Sequence, residues 1–227
     1  MIVIRSDRLR RILQIALPLA VIPAVLLIPK QTLGQYYALI SFLLVIASLL
    51  LFLAGFDRRE LGTRRMILVS VMTALSVVGR MLPIIKPITA LTILSALYLG
   101  KEAGFLVGAL SAVLSNFIMG HGPWTPFQML AWGLIGLVAG IVSKPLLRSR
   151  LLLYAYGLIS GAAYSMLLDV WTTVWTYGEF TLDAYAAAMT TALPYTILYA
   201  VSNVIFLAIF AKPIGDKLHR IEVKYGL

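Results

Sequence analysis

Few side chains in this sequence suit acid–base, nucleophilic or metal chemistry. The chain has no cysteine, and its two histidines, His121 and His219, stand far apart. A metallohydrolase needs a cluster of metal ligands, and a covalent mechanism needs a nucleophile beside a base. We find neither pattern, and no glycine-rich loop of the phosphate-cradling type. We therefore expect a protein that is not an enzyme, uses no cofactor or metal and does not itself hydrolyse ATP.

Aromatic and polar side chains that suit ligand binding are instead concentrated at a few positions. The block MGHGPWTPFQMLAWG contains Trp124, Gln128 and Trp132, and the last two share one face of a helix because they are four residues apart. Trp171 and Trp175 are the other tryptophans of the chain. Small-molecule sites combine an aromatic, apolar lining with a few oriented polar groups. We predict that these five residues bind substrate.

Charged residues inside apolar runs are further candidates. Asp169 is the only carboxylate within a predicted span, and Arg80 lies near the end of another. An ionisable residue at membrane depth usually faces the protein interior or a water-filled cavity. We assign both residues to the substrate site. The alternatives are an interfacial position for Asp169 and, for Arg80, an ion pair with Asp169 or a headgroup position reached by its long side chain.

A polar stripe completes the candidate site. Tyr195, Tyr199 and Asn203 recur at a spacing of four and therefore lie on one helical face. The stripe either contacts the ligand or joins neighbouring helices through hydrogen bonds. We include all three residues in the predicted site.

Composition indicates that membrane-spanning helices must position these residues. Charged residues make up only 12% of the chain, about half the fraction in soluble domains, and the mean hydropathy is +0.95. A full crossing needs about 20 residues. We predict an all-α integral membrane protein with eight hydrophobic segments, near 12–29, 36–55, 66–83, 87–99, 103–120, 126–143, 151–175 and 186–211. The segment 87–99 is short, so we expect it to be tilted or partly re-entrant.

The basic segment 57–65 divides the chain into two parts. We predict an N-terminal membrane hairpin with its basic cytoplasmic loop over residues 1–64. Residues 65–227 then form a six-helix membrane core with a basic C-terminal tail.

Lysines and arginines predict the orientation, because cytoplasmic loops carry an excess of them. With the N-terminus inside, the cytoplasmic segments hold sixteen of the nineteen. We therefore predict a multi-pass protein of the cell membrane with both termini cytoplasmic. All four tryptophans then lie in the outer half of the bilayer, whereas an aromatic belt normally marks both interfaces. The net charge of +10 reflects this topology and contact with anionic lipid, and we expect no nucleic-acid partner.

Residues 65–211 resemble the substrate-binding S components of energy-coupling factor (ECF) transporters, a branch of vitamin-uptake ABC systems. Small residues recur every four positions at Ser70 and Ala74, although Val78 fills the last position, and again at Gly104 and Gly108. The third motif, GHGPWTPFQMLAWGLIGLVAG, is most similar to members assigned to cobalamin.

The resemblance implies a function and a set of partners. Such a subunit captures a vitamin, cobalamin by the closest likeness, at the extracellular face. It then delivers the vitamin inward with a membrane scaffold subunit and two cytoplasmic ATPases. The small-residue faces imply a partner interface at Ser70, Ala74, Val78, Gly104 and Gly108. Riboflavin, folate or another vitamin is the alternative substrate, and an ion-coupled carrier that works alone is the alternative function.

Overall fold

The computed structural model describes Leu43, Ile46 and residues 62–83, 85–122 and 124–225, and this part of the chain is helical, with no strand. The helices are α1 (Thr63–Arg80), α2 (Ile88–Leu99), α3 (Lys101–Met119), α4 (Thr125–Ile141), α5 (Ser143–Arg148), α6 (Arg150–Tyr177) and α7 (Leu182–Tyr225). The prediction of an all-α membrane protein is confirmed. Apart from Leu43 and Ile46, the hairpin predicted over 12–29 and 36–55 lies outside the described residues.

Three of these helices, α3, α6 and α7, are long and apolar enough to cross a bilayer. The shorter helices α2 and α4 are also apolar. The last helix differs most from its prediction. It continues through Pro194 and Pro213 to Tyr225, well past the predicted end at 211, so the basic tail is helical. The Arg64 guanidinium donates a 2.9 Å hydrogen bond to the carbonyl oxygen of Tyr225, which joins the start of α1 to the end of this helix.

Helix α2 is the centre of the fold. Its 12 residues are all buried except Tyr98, and it packs against α1, α3, α4, α6 and α7. At about 1.5 Å per residue it is far shorter than a bilayer is thick. An apolar helix of this length is stable at membrane depth because protein, rather than lipid, surrounds its ends.

The α3–α4 pair packs through glycines. A Cβ atom on Gly104 would come within 3.0 Å of the Gly136 carbonyl oxygen on α4, and one on Gly108 within 2.5 Å of the Trp132 carbonyl oxygen. Small residues of this kind let two backbones approach closely. Gly104 and Gly108 are therefore buried between helices of this chain, and the partner surface predicted at these two residues is not exposed.

Short connections between consecutive helices place their joined ends at one or the other end of the bundle. Gly100 joins α2 to α3 with a φ of 97°, a conformation that favours glycine. The end of α3 and the start of α4 meet at one end of the bundle, together with the end of α6. Lys101 and Gly140 are in contact at the opposite end, which carries most of the basic residues of the described helices.

Candidate functional site

A cavity of about 400 Å³ lies between α4, α6 and α7. Six of its lining residues were predicted as substrate contacts, namely Trp124, Gln128, Trp171, Trp175, Tyr195 and Tyr199. Four others were not, namely Tyr164, Ser165, Leu168 and Thr172. The cavity volume falls within the range of about 300–1,000 Å³ that is usual for small-molecule sites.

The cavity has a buried floor and an open side. Tyr164 and Trp171 are 4% and 3% exposed, whereas Trp175 and Tyr195 are 51% and 64% exposed. Gln128 is also buried and contributes a polar side chain to the floor. A ligand would therefore contact fixed aromatic rings at depth and accessible rings near the opening.

Trp132 supports this floor from behind and does not line the cavity. It is fully buried, and its indole Nε1 donates a 3.0 Å hydrogen bond to Thr89 Oγ1 on α2. Its ring stacks on Tyr164, with the centroids 4.2 Å apart and the planes 11° from parallel. Trp132 was predicted to contact substrate, and in the structure it touches the cavity lining only from behind, through Tyr164.

Arg80 is buried behind Trp132 and is 7% exposed, so it does not reach the headgroup region. Its guanidinium lies 4.9 Å from the centroid of the Trp132 ring and donates hydrogen bonds to Ser115 Oγ and, at 2.7 Å, to Asn116 Oδ1. Within the described residues it forms no ion pair with Asp169. The structure therefore places Arg80 in a network of neutral partners beneath the cavity.

The network continues from Arg80 to the cavity. Asn116 Nδ2 donates to Thr125 Oγ1 and to Gln128 Oε1, both at 2.8 Å. Gln128 Nε2 in turn donates a 3.1 Å hydrogen bond to the Tyr164 hydroxyl. Hydrogen bonds among buried side chains fix their orientations, so the polar groups of the floor are held in place before a ligand arrives.

The same network anchors the loop between α3 and α4. The Thr125 amide donates to the Gly122 carbonyl oxygen at 3.0 Å, and Pro126 stands in the first turn of α4, where proline has no intrahelical donor to lose. A Cβ atom on Gly122 would lie 2.1 Å from the Trp124 ring, so glycine leaves the space that the ring occupies. The loop thereby presents Trp124 to the cavity.

Besides Trp132 and Arg80, two further predicted site residues lie outside the cavity lining. Asn203 is buried, and its Nδ2 donates a 3.2 Å hydrogen bond to the Gly157 carbonyl oxygen on α6. This contact fits the alternative interpretation of the stripe, in which it joins two helices. Asp169 is 6% exposed on α6, which makes it an interior residue of the bundle.

Two of the four residues missed by sequence reasoning, Tyr164 and Leu168, lie on the same helical face as two predicted tryptophans. Tyr164, Leu168, Trp171 and Trp175 are spaced by four, three and four residues and so share one face of α6. The tryptophans of this face were noted, but the face was not traced back along the helix to Tyr164. Tracing it would have found the floor of the cavity.

The remaining predicted partner residues lie on α1. Ser70, Ala74 and Val78 are all exposed on one side of this helix. The small side chains of Ser70 and Ala74 leave a shallow face there, which is open to a second helix.

Comparison with known families gives one match. A family model described as "ECF-type riboflavin transporter, S component" matches residues 60–220, which is more than half of the chain and contains the whole cavity lining. No curated protein and no solved structure matches the chain. The match supports the S-component resemblance seen in the sequence. Its description names riboflavin, and the likeness to cobalamin-type members is not confirmed.

Proposed function

This chain belongs to the family of ECF-type riboflavin transporter S components, and we propose that the cavity between α4, α6 and α7 is its vitamin site. Members of this family are substrate-capture subunits of transporters and not enzymes. The observation that carries the proposal is the cavity itself, because its buried aromatic floor and few oriented polar groups form a typical small-ligand site.

The substrate that fits this cavity best is a planar vitamin, with riboflavin as the first candidate. Stacked rings on the floor and at the opening suit a flat heteroaromatic ligand. A volume of about 400 Å³ suits a fused-ring system of modest size, whereas an intact corrinoid with its nucleotide arm is much larger. Cobalamin is therefore the second candidate, supported by the loop motif of residues 120–140.

Capture takes place at the extracellular face. The lysines and arginines of the described helices are concentrated at the end of the bundle opposite the α3–α4 loop, which the positive-inside rule assigns to the cytoplasm. The connections that follow α1, α3 and α6 then lie toward the outer end, and we assign them the role of lids. Lys86 stabilises the first of them, because its Nζ donates a 2.9 Å hydrogen bond to the Arg80 carbonyl oxygen.

Transport requires partners in this account. The vitamin-loaded subunit docks on a membrane scaffold subunit through the exposed face of Ser70, Ala74 and Val78 on α1. Two cytoplasmic ATPases supply the energy. A shallow face of small side chains suits this docking because it lets a partner helix approach closely.

Calorimetry of the purified chain with riboflavin, cobalamin and folate tests the proposal. We expect one of the three, riboflavin first, to bind with one molecule per chain. The chain alone in liposomes should not concentrate that vitamin against its gradient. Binding of none of the three would remove the proposed function, and uptake without partner subunits or ATP would replace it with an ion-coupled carrier.

A further inference from the structure

Arg80 sets the direction of the hydrogen bonds that run from Asn116 through Gln128 to Tyr164. A guanidinium can only donate hydrogen bonds, so the Asn116 side chain must turn its oxygen toward Arg80. Both protons of the Asn116 amide are then used, one on Thr125 and one on Gln128 Oε1. The Gln128 oxygen must therefore face Asn116, and this requirement fixes which end of the Gln128 amide faces the cavity.

The Gln128 amide therefore presents its nitrogen to the floor. One of its protons goes to the Tyr164 hydroxyl, whose oxygen accepts it, and the second proton remains for a ligand. Because the Tyr164 oxygen accepts from Gln128, its own proton points away from Gln128. Both residues line the cavity, and the Tyr164 hydroxyl is also paired with that of Tyr199. The donors of the floor are therefore the second Gln128 proton and the proton that this tyrosine pair does not use internally.

The positive charge of Arg80, like the donors of the floor, favours a ligand that brings hydrogen-bond acceptors. The guanidinium lies 4.9 Å from the centroid of the Trp132 ring, which stacks on the Tyr164 ring of the floor. Within the described residues, the hydrogen bonds of Arg80 go to neutral side chains. A buried positive charge whose described partners are neutral favours an electron-rich group nearby.

Farther toward the outer end of α6, the cavity lining offers a hydrogen-bond acceptor instead of donors. The Thr172 hydroxyl donates to the Leu168 carbonyl oxygen at 3.1 Å, so its oxygen is left as an acceptor on the wall of the cavity. The donor character is thus a property of the deep end, where Gln128 and Tyr164 lie.

We infer that the floor selects a planar ligand whose deep edge carries carbonyl oxygens, and that it rejects the same ring with amino groups at that edge. This inference rests on the proposed function, since it names the class of ligand that the vitamin site takes. A buried donor that meets another donor loses its hydrogen bond and pays the full cost of desolvation.

Two bicyclic probes of nearly the same shape test whether the floor prefers carbonyl groups or amino groups at the edge of a ring. Lumazine carries two carbonyl oxygens where 2,4-diaminopteridine carries two amino groups. Titration of the purified chain near neutral pH should show lumazine binding at least about tenfold more tightly, the usual scale for losing hydrogen bonds in a site. Equal affinities, tighter binding of 2,4-diaminopteridine or no measurable binding of lumazine would overturn the inference.

Three variants test the origin of the preference. In Gln128→Glu, a carboxylate would accept from both Asn116 and Tyr164, so the floor would present acceptors and the preference should reverse. Tyr164→Phe keeps the stacked ring and removes one donor, and it should weaken lumazine binding by about tenfold while leaving 2,4-diaminopteridine unchanged. Tyr177→Phe removes an exposed hydroxyl outside the cavity lining and should leave the ratio unchanged.

The outcomes distinguish this inference from the proposed function. If a vitamin binds but the probes show no preference, the donor floor is refuted and the vitamin site stands. If no vitamin of the panel binds but lumazine is preferred, the floor is supported and the proposed substrate class is removed.

Discussion

The indole ring of Trp132 lies flat against the phenol ring of Tyr164, with 4.2 Å between centroids and 11° between planes. This contact joins α4 to α6 directly behind the cavity. Trp132 is also hydrogen-bonded to Thr89 on α2, the most deeply buried helix of the described residues. The ring that forms the cavity floor is therefore fixed to the core of the fold, which lowers the ordering cost of binding a ligand.

Replacing Trp124 by alanine should weaken vitamin binding. The ring lines the cavity and is 37% exposed, so its loss removes a ligand contact with little damage to the core. Truncating an aromatic anchor at a binding site costs about 2 kcal/mol, which is roughly 30-fold in affinity. Calorimetry with riboflavin measures the change.

Tyr177→Ala is the matched control for this variant. Tyr177 is also an exposed aromatic residue at the end of α6, but it does not line the cavity. The affinity of the Tyr177→Ala variant for riboflavin should equal that of the parent chain. If Trp124→Ala also retained full affinity, the tryptophan would belong to an interfacial belt.

Replacing Ala74 by tryptophan should abolish uptake by the assembled transporter and leave vitamin binding to the isolated chain intact. Ala74 lies on the exposed side of α1, where a large ring blocks the approach of a second helix without disturbing the bundle. Ile159→Trp, on the exposed side of α6, is the control and should leave uptake unchanged. Loss of binding in Ala74→Trp, with normal assembly, would contradict the assignment of this face.

Replacing Gly108 by alanine should destabilise the isolated chain. The added methyl would lie 2.5 Å from a backbone oxygen of α4, which cannot move without separating the two helices. Overpacking of this kind costs about 1–3 kcal/mol. Thermal unfolding in detergent should show a lower midpoint for this variant and an unchanged one for Gly62→Ala, whose added methyl meets no atom within 4 Å. An unchanged midpoint for Gly108→Ala would return the glycine to a partner interface.

Much of the fold follows from the sequence, because the apolar runs and the glycines between them specify helices and turns directly. The bounds of α2, predicted at 87–99 and found at Ile88–Leu99, illustrate this. The end of α7 was missed because apolarity decreases after residue 211 while the backbone stays helical. Hydropathy reports contact with lipid and does not report helix continuation into water.

The candidate site was predictable by residue type but not by depth. Tryptophans and tyrosines marked the helices around the cavity, yet their sequence positions did not separate lining residues from supporting ones. Trp132 and Gln128 share one helical face, and only the packing of α6 against α4 buries the first behind Tyr164 and leaves the second on the floor. Gly104 and Gly108 illustrate the same limit, since small residues at a spacing of four suit contacts within a chain and between chains equally well.

Protection of a single introduced cysteine tests most directly whether the cavity is the vitamin site. The chain has no cysteine of its own, so Thr172→Cys places one thiol on the cavity wall, and Thr63→Cys places one at the far end of the bundle as the control. Our account predicts that a saturating vitamin, riboflavin first, slows maleimide labelling of Thr172→Cys by at least about tenfold, because the bound ring covers the thiol. Labelling of Thr63→Cys should keep its rate. A vitamin that binds by calorimetry while Thr172→Cys reacts at its unliganded rate would contradict the account and place the site elsewhere.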